Sequence, residues 1–309
     1  YHLVGNGTGE WRVPRGGMGA LVEQLRARAL SLGVEISLKE RAISIEKVDG
    51  GAGFAVTTTR GDGTRDQLRV AMIAAAISPQ ELARLQGHSY KKKCAPGSQV
   101  KINMVLKKLP RLRSGISPED AFAGTFHFDE GMDEMQRAFE EAAAGELPDQ
   151  IPAEIYCHTL SDPSILDEQL RDQGFQTLTL FALHTPHQLF RGDNEGMKEV
   201  AKEKLITQLD RYLIDPIEEC LAIDSNGQLC IEVKSPVDLE EDLGLPQGNI
   251  FHSDLEFPIR EESESLRWGS ETGVEGIYLA GAGARRGGGV SGVGGHNAAM
   301  AILEKLGKL

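Results

Sequence analysis

Between Gly281 and Gly295 the chain runs GAGARRGGGVSGVGG, and nowhere else in its 309 residues does glycine crowd so densely. Glycine loses more conformational freedom on folding than any other residue, roughly 0.5–1 kcal/mol relative to alanine in regular structure. A loop with three consecutive glycines therefore gains little if it only connects two elements. Its rival reading is a packing loop whose glycines merely permit positive φ. An apolar run from Gly276 to Ala280 precedes the loop and reads as a strand, and a helix is expected from about Gly292 to Leu306. Strand, glycine loop and helix in that order form a nucleotide-binding βα turn. Backbone N–H groups at such a helix start can approach an anionic ligand, and the helix dipole adds positive potential.

Two nucleotide motifs are absent. A P-loop needs a Gly-Lys-Ser/Thr ending, which this loop lacks. A dinucleotide fingerprint needs G-x-G-x-x-G directly after a strand. Gly5, Gly7 and Gly9 imitate it, but no strand precedes them and Pro14 interrupts the segment after them.

The formal charge is −13, from 46 acidic and 33 basic side chains, so a nucleic-acid partner is not expected. No stretch approaches the roughly 18 apolar residues of a membrane span. Cys94, Cys157, Cys220 and Cys230 form no C-x-x-C pair, which argues against a dithiol centre or a cysteine-rich zinc site and fits a reducing, cytoplasmic compartment. His184 and His187 in HTPH are separated by Pro186 and lack an acidic neighbour. No metal site is expected, and a zinc titration should reveal no tight one-to-one binding. Lys91-Lys92-Lys93 could meet an anionic membrane surface, although a solvated charge run is the ordinary reading. No G-x-S-x-G elbow is present, which disfavours hydrolase chemistry.

Periodicity predicts a helix from Met18 closed by Gly33, short strands over 34–38, 42–45 and 54–58, and an unbroken apolar run over 70–77 of the kind covered on both faces. Ser78-Pro79 opens a short helix over 81–85. Further strands are expected at 100–106, 125–128, 155–158, 177–183 and 229–233, with helices over 132–144 and 195–221. The expected organisation is mixed α and β. Residues 1–90 and 236–309 form one discontinuous domain, with the strands of 70–77 and 276–280 in a single sheet, and 91–235 forms an inserted mixed-sheet domain.

Several separated blocks resemble the carotenoid and phytoene dehydrogenase branch of the FAD-dependent amine-oxidase superfamily, and within it the group named for pyridine nucleotide-disulfide oxidoreductase domain-containing protein 2. They are Trp11 with PRGGMGALVEQL at 14–25, KINMVLKKLP at 101–110, FALHTPHQL at 181–189, GNIFHSDL at 248–255 and GIYLAGAGARRGGGVSGVGGHNAAMAIL at 276–303. The resemblance implies that 1–90 and 236–309 belong to an FAD/NAD(P)-binding-type domain lacking its N-terminal Rossmann unit, and that 91–235 binds substrate. Such a chain would be the C-terminal part of the enzyme, inactive by itself and unable to hold FAD tightly.

Residue by residue, the resemblance implies that Ala42 pairs through its backbone with the adenine of FAD. Gly281 and Ala282 would lie beside the ribityl chain and pyrophosphate. Gly288, Gly289, Val290, Ser291 and Gly292 would pass the isoalloxazine ring. The family's usual Thr-His-Pro is replaced by Ala284-Arg285-Arg286, which adds two cations. His252 and His296 either line the flavin cavity or are structural. The implied activity is hydride transfer between flavin and a C–H or C=C bond of an apolar, isoprenoid-like substrate. Such chemistry needs positioning more than an acid or base, so no catalytic side chain is named. The alternative is a non-catalytic interaction module that keeps the fold without the cofactor. Association into a homodimer is a further expectation.

Overall fold

The computed structural model describes residues 14–48, 50, 53–91, 94–254, 267–285, 288 and 290–309. Ten strands are present among them: β1 (Glu40–Lys47), β2 (Phe54–Arg60), β3 (Arg65–Val70), β4 (Ile73–Ala75), β5 (Val100–Leu106), β6 (Thr125–Phe128), β7 (Ala153–Tyr156), β8 (Gln176–Ala182), β9 (Ile231–Lys234) and β10 (Ile277–Leu279). The chain forms two compact units. A sheet unit comprises Tyr1–Ile36, Gln99–Thr185 and Glu195–Lys234, and a glycine-loop unit comprises Ser37–Ser98, Pro186–Asn194 and Ser235–Leu309.

In the glycine-loop unit, β1, β2 and β3 make an antiparallel meander, and β4 pairs in parallel with β10. The two apolar runs expected to share a sheet are thus hydrogen-bonded neighbours, with Ile277 opposite Ile73 and Leu279 opposite Ala75. Ile45, Phe54, Ala75, Leu82, Leu85 and Ile277 form one buried cluster, and Tyr278, Ala298 and Ala301 form another beneath the C-terminal helix. The run at 70–77 is not covered on both faces. Ala74 and Ala76 are exposed, because the small sheet buries only one side of β4. Ser78 caps the helix Pro79–Leu85 by accepting the Glu81 N–H at 3.0 Å.

In the sheet unit, five strands run in the order β6-β7-β8-β5-β9, and every pairing is antiparallel. The expected mixed sheet is therefore corrected to an antiparallel one. The alternating burial along β5 gives the physical reason: Val100, Ile102, Met104 and Leu106 point to the core while the residues between them face outward. In the same unit, Ala138 of the helix Met132–Ala143 and Leu205 and Leu209 of the helix Asn194–Asp210 are buried as well. Burial stabilises each leucine by roughly 1.5–3 kcal/mol. The second helix stops at Asp210 rather than continuing to 221. Pro216 disfavours helical backbone at Asp215, and the Asp210 carboxylate instead accepts the Ile217 N–H at 2.9 Å.

The helix Gly17–Ser31 forms as its periodicity predicts, and Gly33 follows it at φ 81°, yet none of its side chains is buried. It is grouped with the sheet unit, where the Gly16 N–H donates to the Asp162 carboxylate at 2.6 Å and Gly17 approaches Ile165. The expected boundaries put this segment in the other domain. Residues 34–38, expected as a strand, have no regular structure, since no strand among the described residues pairs with them. No described helix is long and apolar enough to cross a membrane.

Candidate functional site

The parallel pair β4–β10 delivers the chain to the glycine loop. Ala280 extends the ladder, its N–H donating to the Ala75 carbonyl at 2.9 Å, and the turn then closes as the Ala284 N–H donates to the Gly281 carbonyl at 3.0 Å. Three glycines here are fixed by close packing. A Cβ at Gly281 would meet the Ala76 backbone at 3.2 Å, one at Gly283 the Ile77 carbonyl at 2.8 Å, and one at Gly294 the Gly281 carbonyl oxygen at 2.6 Å. Close packing thus explains those three but not Gly288, Gly292 and Gly295, of which Gly292 alone is accounted for by a positive φ.

Those three line a cavity of about 240 Å³ together with Ala280, Gly281, Ala282, Val290, Ser291 and Gly294. No side chain larger than valine stands in its wall. Gly292 is the N-cap of the helix Val293–Lys305, in the left-handed region at φ 70°, and makes no side-chain cap. The first-turn N–H groups of that helix have no carbonyl of their own helix to bond. That of Val293 donates to Ser291 Oγ at 3.3 Å, leaving Gly294 and Gly295 as wall residues whose N–H groups carry the positive helix end. Val290 is left-handed at φ 57° and 73% exposed. For a β-branched residue that backbone is strained, and such strain gathers at ligand-binding turns.

Of the residues expected to touch a cofactor, Gly281, Ala282, Gly288, Val290, Ser291 and Gly292 come together around this cavity, and Gly289 lies outside the described residues. Ala42 does not join them. It sits on β1 opposite Thr58, at a register shift before Ser44, and packs against the cluster around Phe54. Ala280, Gly294 and Gly295 were not anticipated in the wall. The position of the last two, within the first turn of the helix, is the available sequence signal. Arg285 is half-buried, with its N–H donating to the Gly269 carbonyl at 3.0 Å, and Arg286 lies outside the described residues.

Behind the turn stands His252, left-handed at φ 63°, with a buried Nδ1 that has no hydrogen-bond partner among the described residues. Gly283 packs against that ring. Burial pushes the imidazole pKa down, so the ring is held neutral. Its loop is tied down on both sides: Asn249 Nδ2 donates to the Ala95 carbonyl at 2.8 Å, and Asp254 accepts the Ala95 N–H at 2.7 Å. His296 is exposed, on the helix directly after Gly295 of the cavity wall.

His184 and His187 fall in different units. His184 packs edge-on against Phe139, at 6.0 Å between ring centroids, whereas His187 is buried with Nε2 2.8 Å from a Glu240 carboxylate oxygen. Each histidine is engaged separately.

Residues 2–115 match the family model described as flavin containing amine oxidoreductase. By sequence that stretch is similar to the flavin-containing amine oxidoreductases. An uncharacterized protein of Mycobacterium tuberculosis is 44% identical over 312 residues, covering 99% of this chain and 57% of that protein. The mouse pyridine nucleotide-disulfide oxidoreductase domain-containing protein 2 is 29% identical over 330 residues, covering 99% and 54%. The chain thus spans about half the length of these relatives. A flavoprotein/dehydrogenase of known structure from Cytophaga hutchinsonii superposes with a TM-score of 0.44 at 12% identity, over 97% of this chain and 56% of the other.

Proposed function

We propose that the chain is part of an FAD-dependent oxidoreductase and that its glycine-walled cavity holds the flavin side of the cofactor. The observation that carries the reading is the cavity itself, lined by glycine, alanine, valine and serine at an uncapped helix N-terminus. Such a wall lets the backbone approach a flat or anionic group, and a methyl added at Gly288 would already sit 3.3 Å from Ala282 Cβ. At about 240 Å³ the cavity suits a portion of a dinucleotide rather than the whole.

When bound, the flavin supplies the hydride-accepting chemistry. The protein's part is to position it. The helix end at Gly294 and Gly295 favours negative charge, and Ala282 offers no side-chain hydrogen bond, so recognition at the turn runs through the backbone. The substrate in this reading is an apolar molecule presenting a C–H or C=C bond, supported by the resemblance of the sequence blocks.

Fluorescence titration of FAD and FMN into the 309-residue chain tests the assignment. Saturable binding weaker than micromolar is expected, a free energy smaller than about 8 kcal/mol. Gly288→Val should abolish it, because its side chain fills the wall opposite Ala282. Absence of saturation up to millimolar flavin, or equal binding by Gly288→Val, overturns the assignment and leaves the interaction module as the better reading.

A further inference from the structure

The second site comes from the sheet unit and does not depend on the flavin reading. On the outer edge of the five-stranded sheet, β6 pairs with β7 so that His127 stands directly opposite Glu154. Directly opposite residues on antiparallel strands carry their side chains on the same face. Glu130 reaches the same place by a different route. Asp129 adopts a left-handed backbone at φ 55°, and its carboxylate is fixed by Tyr212 Oη at 2.7 Å, by Gln208 Nε2 at 2.6 Å and by Arg211. This folds the chain back, leaving Glu130 Oε2 2.6 Å from His127 Nδ1. One ligand atom from each of His127, Glu130 and Glu154 lies within 4.8 Å of the other two.

Two observations set this trio apart from an ordinary surface cluster. The donor set is mixed, an imidazole nitrogen with two carboxylates, so the three atoms converge as ligands of different chemistry. The other Glu130 oxygen, Oε1, is shielded from solvent and has no hydrogen-bond partner among the described residues, in a side chain that retains 22% exposure. A buried carboxylate oxygen left without a donor is costly. A cation shared with Glu154 removes the repulsion between two neighbouring carboxylates.

We propose that His127, Glu130 and Glu154 bind one first-row divalent cation of the zinc or manganese type. One nitrogen and two oxygens match the borderline preference of these ions, whereas calcium and magnesium take oxygen-only sets. Three protein ligands leave coordination positions open to solvent. Binding requires a neutral imidazole and two ionised carboxylates, so any proton on His127 is released to solvent. Spacing in sequence conceals the set, because Glu154 joins the other two only through strand pairing.

Calorimetric titration of the full chain with zinc chloride, then manganese chloride, in a non-coordinating buffer decides the matter. One saturable ion per chain is expected, with magnesium binding at least about tenfold more weakly. Glu154→Gln keeps the shape of the side chain, and His127→Ala sits half-exposed on an edge strand, so both should retain the far-UV spectrum of the parent. Each should weaken zinc binding by roughly tenfold or more. No saturation up to millimolar zinc, equal magnesium affinity, or zinc affinity unchanged in Glu154→Gln would each overturn the proposal. Unchanged flavin binding in these variants would keep this result separate from that of the glycine cavity.

Discussion

Gly294 offers the sharpest probe of how the loop is built. A Cβ there would stand 2.6 Å from the Gly281 carbonyl oxygen, 3.2 Å from its carbon and 3.4 Å from the Ala280 carbonyl oxygen. Carbon and carbonyl oxygen normally approach to about 3.3 Å, so helix and strand must part by roughly 0.7 Å to admit a methyl group. Both sides of the contact are backbone, and neither can rotate away. Overpacking of this kind costs about 1–3 kcal/mol, against which alanine returns about 1 kcal/mol of helix propensity. Gly294→Ala should therefore destabilise the unit by up to about 2 kcal/mol. Gly295→Ala is the internal control. Its Cβ would meet the Ala280 carbonyl oxygen at 3.5 Å, an ordinary contact, and it shares the propensity gain. The difference between the variants isolates the clash at about 1–3 kcal/mol. Urea unfolding followed by Trp268 fluorescence in a Trp11→Phe background reads it, because Trp268 packs against the Tyr278 cluster and donates from its indole to Glu304 at 2.7 Å. Stabilities of the two variants within about 0.5 kcal/mol of one another would refute the reasoning.

Asp215 should govern part of the acid limb of stability. The Arg111 guanidinium, followed by the Arg111 backbone N–H, holds its carboxyl well below the usual carboxylate range. That contribution is complete above the unfolded value near 3.8 and is lost as pH falls below it toward the folded value. Asp215→Asn should flatten the decline in this window, and an unchanged acid transition would show the pair to be inconsequential. Burial pushes the Cys157 and Cys220 thiols up, so both should resist iodoacetamide in the folded protein and react in urea. Mass-spectrometric labelling at equal rates in the two conditions would contradict this.

The cavity was partly legible in sequence because glycine crowding is a local signal. Six of the expected wall residues gather there, since a strand, a turn and a helix in tandem fix their own neighbours. Ala42, assigned to the adenine rather than to the flavin side, lies on β1 against the Phe54 cluster, a place set by strand pairing and not by local sequence. The helical reading of 195–221 did not hold over its whole length. Val200, Leu205, Leu209, Leu213 and Ile217 keep helical spacing, but Pro216 breaks the backbone that would have made the spacing continuous.

The sequence by itself determined most element types, from the capped helix at Ser78 to the alternation along β5, because capping and periodicity act within a few residues. It also determined that a strand would feed a glycine loop into a helix. Only the tertiary structure decided that β4 lies beside β10, separated from it by about two hundred residues of chain, and that the larger sheet is antiparallel throughout. It alone brought Glu154 opposite His127 and turned Glu130 back onto them. Pairing register is a property of two strands at once, set by which faces the whole unit can bury, and no single stretch of chain contains it.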